Sequence, residues 1–189
     1  DPAVITGIYT QLLGSGIFTD SGLSLGDSDS KSAAFGDVDG DGDLDVFVVN
    51  SGANRIWLND GNGIFTDSGQ SLGSSTSYSV ALGDVNGDGD LDAFVGNYVS
   101  NKVWMNDGSG TFTDSGQNLG SSSSMGVALG DVDCDGDLDA FVANYGGHKV
   151  WLNDGSGTFT DSGQSLGDSS PYGDDTLYMD EVQGALAAS

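Results

Sequence analysis

Positive charge is nearly missing from this chain. Lys31, Arg55, Lys102 and Lys149 are its only cations, set against 29 acidic groups for a net charge of −25. Nucleic acid and anionic membrane surfaces would be repelled, so neither is an expected partner. Glutamate is nearly missing as well, with Glu181 the single example. An acidic chain built only to stay solvated usually mixes both carboxylates, so this bias asks for the shorter one. Cys134 stands alone, which excludes an internal disulfide. Two prolines face 32 glycines, the balance of an all-β protein with short strands and many tight turns. No apolar run approaches the roughly 20 residues of a membrane helix, and no membrane insertion is expected. The opening DPAVITGIYT has no basic stretch followed by an apolar one, which reads as a mature or trimmed form.

What is present argues for a packed domain. Hydrophobic residues make up 37% and aromatics 9%, too much for a disordered acidic chain. A length of 189 residues suits one domain with a real core.

The chain repeats itself. GDVDGDGDLD at 36, GDVNGDGDLD at 83 and GDVDCDGDLD at 130 are separated by steps of 47 residues. The stretches IWLNDGNGIFTDSGQSLG at 56, VWMNDGSGTFTDSGQNLG at 103 and VWLNDGSGTFTDSGQSLG at 150 keep the same step, and a worn half copy, LLGSGIFTDSGLSLG, begins at 12. Within the unit 79–115 the segments SVALGD, LDAFVGN, KVWMN and TFTDS read as four short strands, because they are rich in Val, Phe, Trp and Thr and are bounded by Gly-rich turns. Four strands in about 47 residues is the size of a propeller blade.

The expected fold is therefore an all-β propeller, a single domain over 1–189, with full blades at 32–68, 79–115 and 126–162. A fourth blade assembled from both chain ends, 1–20 and 173–189, would close the ring; the tail 168–189 has lost the acidic loop and reads as easily as a frayed or helical end. An open three-blade array completed by a second chain, or a piece of a larger propeller, is the alternative.

The acidic loops carry the chemistry. Counting from Asp37, carboxylates fall at positions 1, 3, 5, 7 and 9: Asp37, Asp39, Asp41, Asp43 and Asp45. The second loop supplies Asp84, Asn86, Asp88, Asp90 and Asp92, and the third Asp131, Asp133, Asp135, Asp137 and Asp139. A hard cation such as calcium takes six to eight oxygens at about 2.3 to 2.6 Å, and alternate short side chains on a curling loop can all face one centre. Glycine at position 6 supplies the turn, and residue 7 offers its backbone carbonyl. Magnesium keeps its waters and rarely takes an all-protein cage, and zinc lacks its usual Cys and His ligands. Position 12, a bidentate Glu in an EF-hand, is Val48, Val95 or Val142 here. The expected cofactor is calcium, one ion in each of three loops.

These residues carry a resemblance. DVDGDGDLDVFVVNSGANRIWLNDGNGIF resembles the FG-GAP or VCBS-type repeats of integrin α-subunit propellers and of many bacterial secreted proteins, whose signature is DxDxDGxxD in a hairpin loop. The resemblance covers roughly residues 12–167. It implies one calcium per loop held by positions 1, 3, 5, 7 and 9. Integrin propellers have seven blades of longer units, so blade count and ligand do not transfer.

Strand parity places the acidic loops and the NDGSG turns at one end of the blades. The other end carries what differs between units: Tyr98 and Tyr145 with His148 in the connections between second and third strands, and Lys31, Tyr78, Met125 and Tyr172 at linker positions equivalent under the repeat. Tyrosines exposed there would suit a protein or glycan ligand. The single His148 reads as a surface residue. Trp57, Trp104 and Trp151 read as core, Arg55, Lys102 and Lys149 as partners for those rings or for an Asp, and Cys134 as incidental.

The acidic residues that might serve a glycosidase are claimed by the metal, and no serine or repeated histidine has a catalytic setting, so no enzyme activity is expected. The expected function is an extracellular, calcium-stabilised adhesion or recognition module, integrin-like. The alternative is a structural or self-associating repeat module of a larger secreted protein, which leaves a homo-oligomer open.

Overall fold

A computed structural model describes residues 22–167. The expected composite closing blade (1–20 with 173–189), the tail from 168 and Tyr172 lie outside the described residues. Among the described residues twelve strands make three sheets. The first holds β1 (Ser30–Gly36), β2 (Asp45–Asn50), β3 (Arg55–Asn59) and β4 (Phe65–Asp67). The second holds β5 (Ser77–Gly83), β6 (Asp92–Asn97), β7 (Lys102–Asn106) and β8 (Phe112–Asp114). The third holds β9 (Ser124–Gly130), β10 (Asp139–Asn144), β11 (Lys149–Asn153) and β12 (Phe159–Asp161). Each sheet is antiparallel with its strands in chain order, a four-stranded blade, and the three form an open, propeller-like array. Among the described residues the ring does not close.

The first strands begin earlier than the sequence suggests, at Ser30, Ser77 and Ser124. A register shift, seen between Ser30 and Ser32 and between Ser77 and Ser79, lets the strand resume pairing after one unpaired residue. The middle strands read as almost unbroken apolar runs because a neighbouring blade can cover either face: all of β6, Asp92–Asn97, is buried. The core lies between blades. Phe47 of blade one meets Phe112 of blade two edge-to-face, ring centres 5.3 Å apart, and Phe94 and Phe159 repeat the contact at 5.2 Å. Trp104 and Trp151 are buried in these two seams, as expected of core rings.

Polar side chains tie the same seams. Asn106 Nδ2 donates to the Val38 carbonyl of the preceding blade at 2.8 Å, and Asn153 Nδ2 to Val85 at 2.7 Å. Gln70 accepts from the Phe112 amide at 2.8 Å and donates to the Gly110 carbonyl, and Gln117 does the same for Phe159 and Gly157. Each blade thus grips the next through backbone groups that would otherwise be buried without partners. These Asn and Gln residues recur every 47 positions, a signal in the sequence that the turn pattern of NDGSG obscured.

Candidate metal centre

Each acidic loop joins the first and second strands of its blade, and each NDGSG-type turn joins the third and fourth. Both lie at one end of the array, as strand parity requires. The loop curls because its first residue binds the backbone ahead of it. Asp37 accepts from the amides of Gly40 and Gly42 at 2.9 and 3.0 Å, and Asp84 from those of Gly87 and Gly89 at 2.7 and 3.0 Å. Position 5 repeats the device on a smaller scale, Asp41 accepting from Asp43 at 2.9 Å. Position 7 turns its side chain toward the neighbouring turn: Asp43, Asp90 and Asp137 pack on Gly61, Gly108 and Gly155, whose positive φ and lack of a Cβ leave room for the carboxylate.

Position 9 has a role the spacing alone did not suggest. Asp45, Asp92 and Asp139 are completely buried. Asp45 accepts from the Val38 amide at 2.9 Å with one oxygen and from the Asn59 amide at 2.8 Å with the other. Asp92 and Asp139 hold the matching amides of Val85 and Asn106, and of Val132 and Asn153. This carboxylate staples the loop to the third strand while it faces the loop's centre.

The result is a convergence of like charge. Carboxylate oxygens of Asp37, Asp39 and Asp45 lie within 4.8 Å of one another, and those of Asp131, Asp133 and Asp139 do the same; either group can hold a metal ion. The environment is hostile to bare carboxylates. Loss of water, then the charge of Asp45, hold Asp39 above the usual carboxylate range. Loss of water, then Asp135 and Asp139, do so for Asp133. Burial pushes Asp92 from 3.8 to about 6, against the stabilising amides of Asn106 and Val85. An oxygen-rich set strained by repulsion is the chemistry of a hard-cation site, so the residues present fit calcium. In the second loop Asn86 takes position 3, and its amide donates to Asp88 at 2.8 Å, replacing one repulsion with a hydrogen bond.

The family-model comparison matches FG-GAP-like repeats at 37–95, 84–142 and 131–180. The chain belongs to the FG-GAP-like repeat family. The first two matches each run from one acidic loop into the second strand of the next unit, so successive matches overlap as the 47-residue step demands, and the third begins at the third acidic loop. No curated protein matches the chain. Among solved structures it is similar to part of a Photorhabdus luminescens Tc holotoxin pore, with 21% identity and a TM-score of 0.42; the alignment covers 72% of this chain and 7% of that one.

At the far end of this FG-GAP-like array Tyr98 and Tyr145 are exposed, at 57% and 64%, while other residues there depart from the sequence expectations. His148, expected at the surface, is buried. It takes the place of Asn54 and Asn101, whose side-chain oxygens accept from the amides of Asn50 and Asn97 at 3.0 Å; His148 Nδ1 accepts from the Asn144 amide at 3.2 Å instead. The ring closes a turn and leaves little surface to meet a ligand. Lys31, Tyr78 and Met125 are not linkers. They belong to β1, β5 and β9 and line a groove of about 680 Å³ along the three innermost strands. Lys102 and Lys149 pair with Asp114 and Asp161 across their blades at 3.1 and 3.0 Å, while Arg55 donates to the Gln70 carbonyl. Cys134 stands at φ +63°, where Gly40 and Gly87 occupy the same turn of the other loops.

Proposed function

We propose that the chain is a calcium-stabilised recognition module that works outside the cell and does no chemistry of its own. The observation that carries this reading is the convergence of carboxylate oxygens in loops repeated in register. Calcium would be held by positions 1, 3, 5 and 9 of each loop and by the backbone carbonyl of position 7, in three sites. It would supply charge neutralisation, removing the repulsion among Asp37, Asp39 and Asp45 and their counterparts. The chain's own contribution is the stapled loop, which keeps the ligands assembled between two strands.

An ion that binds only the folded blade stabilises it by mass action, by about 2.7 kcal/mol when its free concentration is a hundred times the dissociation constant. Calcium is plentiful outside cells, where sites of ordinary affinity stay loaded. Family membership supports that location, and no helix among the described residues is long and apolar enough to cross a membrane.

Tyr98 and Tyr145 are the groups best placed to meet a protein or glycan, because they sit on connections that vary between units while the metal end repeats. The test has two parts. Thermal melting with calcium and with a chelator at low ionic strength should differ by several degrees, and equal curves would end the metal reading. Binding to a glycan or extracellular protein array should then drop on Tyr98→Ala or Tyr145→Ala; an unchanged profile would refute the assigned surface.

A further inference from the structure

Each seam between blades is tight at the metal end and opens at the other. Toward the metal, Leu82 and Leu91 of blade two close on Gly36 of blade one, where a Cβ would lie 3.0 and 2.7 Å from their methyl carbons. Away from it the same seam widens into a hollow of about 220 Å³, lined by Asn54, Ser74, Ser75, Lys102, Trp104 and Asp114. The second seam repeats the hollow at about 160 Å³ with Asn101, Ser121, Ser122, Lys149, Trp151 and Asp161, each 47 positions on. Both hollows carry donors without partners. Asn54 and Asn101 are 3% and 2% exposed; their oxygens accept from the amides of Asn50 and Asn97, and their Nδ2 groups meet no acceptor among the described residues. Trp104 Nε1 and Trp151 Nε1 are likewise buried and unpaired. The indole edge that carries them lies against the linker, since a Cβ on Gly73 or Gly120 would come 3.4 Å from Cζ2 of Trp104 or Trp151.

We propose that each hollow binds one neutral sugar ring, either free or as the terminal residue of a glycan. The proposal rests on the recognition reading for the end of the array that meets a ligand, but it assigns the contact to the seams. Charge selects a neutral ligand. Lys102 and Lys149 are already paired with Asp114 and Asp161 at 3.1 and 3.0 Å, and a net charge of −25 repels anions. A hydroxyl both donates and accepts, so a polyol can serve the Asn Nδ2 donor, the serine hydroxyls and the remaining lone pairs of the aspartate together. The indole edge gives the ring carbons an apolar wall. Size selects a single ring, because drug-sized ligands occupy pockets of about 300 to 1,000 Å³. Unpaired buried donors cost free energy that a seated hydroxyl returns.

Indole N–H NMR of the full chain with calcium present, titrated with glucose, galactose, mannose and N-acetylglucosamine, reads the two seams separately. At least one sugar should shift the Trp104 and Trp151 signals along a saturable curve. No shift with any of them, or one that stays linear in sugar concentration, would mean that the hollows hold water only and would overturn the proposal. Ser74→Phe fills the first hollow from an exposed linker position, and Ser121→Phe the second. Each should abolish the shift of its own tryptophan, leave the other's, and keep the melting temperature of the calcium-loaded chain; shifts that survive in both variants would place the sugar elsewhere. Asp114→Asn should weaken the first site about ten-fold, the loss of one charge-assisted hydrogen bond. A glycan array then separates the two sources of the ring. Array binding lost in the Ser74→Phe, Ser121→Phe double variant puts the ring on a glycan, and saturable shifts beside a silent array make it a free sugar. Array binding that Tyr98→Ala removes and the double variant keeps would overturn the proposal while leaving the recognition reading in place.

Discussion

Asn106→Ala separates a grip between blades from a mere turn residue. Asn106 is buried, and its Nδ2 meets the Val38 carbonyl of the preceding blade at 2.8 Å. Removing the donor leaves that carbonyl buried and unpaired, a cost of about 1 to 3 kcal/mol. Part of this is returned, because Asn106 Oδ1 has no partner to lose. The backbone amide that Asp92 accepts is untouched by the change. The expected loss is about 1.5 kcal/mol, or about 3 to 6 °C in melting temperature for a chain of this size.

The repeat supplies its own control. Asn59 occupies the same position in blade one, but its Nδ2 donates to the Leu44 carbonyl within its own blade at 3.1 Å and its Oδ1 accepts from the Gly63 amide at 3.2 Å, both exposed bonds that water can replace. Asn59→Ala should cost well under half as much. Both are read by urea and thermal unfolding with calcium in excess, followed through tryptophan fluorescence. Equal losses for the two variants would refute the argument, since the grip would then contribute nothing beyond the turn.

Other outcomes follow from the same geometry. Cys134→Gly removes the cost of holding a side chain at φ +63°, about 1 to 2 kcal/mol, less what the freer unfolded chain takes back; melting should rise by about 2 to 4 °C, and a fall would contradict it. Asn86→Asp adds a carboxylate to the second loop, so calorimetric titration should show its calcium affinity rise several-fold while the other loops stay as they were; no change would count against position 3 as a ligand. Without metal, Asp92 holds its proton up to about pH 6, above the ordinary 3.8. Its contribution to stability is therefore full below pH 3.8 and is lost as the pH rises through about 6. Carboxyl NMR of the chelated protein should give a midpoint near 6, and a midpoint near the ordinary value would refute the burial argument.

Much of the site was legible because its information is local. The offsets 1, 3, 5, 7 and 9 place side chains of one short loop around one centre whatever surrounds it, and Val48 at position 12 already excluded a helical partner. His148 was misread because its role depends on the amide of Asn144, which a tight connection brings to its ring. Its kinship with Asn54 and Asn101 lay in the 47-residue step, but a histidine and an asparagine do not look alike until both are seen accepting the same bond. Lys31, Tyr78 and Met125 were assigned to linkers because the register shift in the first strand has no signature among so many serines and glycines.

By itself the sequence determined the unit, its four strands and the gathering of carboxylates, since each depends on residues within one period. Tertiary structure decided what happens between periods. Which carbonyl Asn106 reaches lies 68 positions away, and which leucines close on Gly36 depends on how one blade leans on the next. Burial of Asp92, winning against the two amides that favour its charged form, turns a carboxylate that spacing alone would leave in water into one that retains its proton.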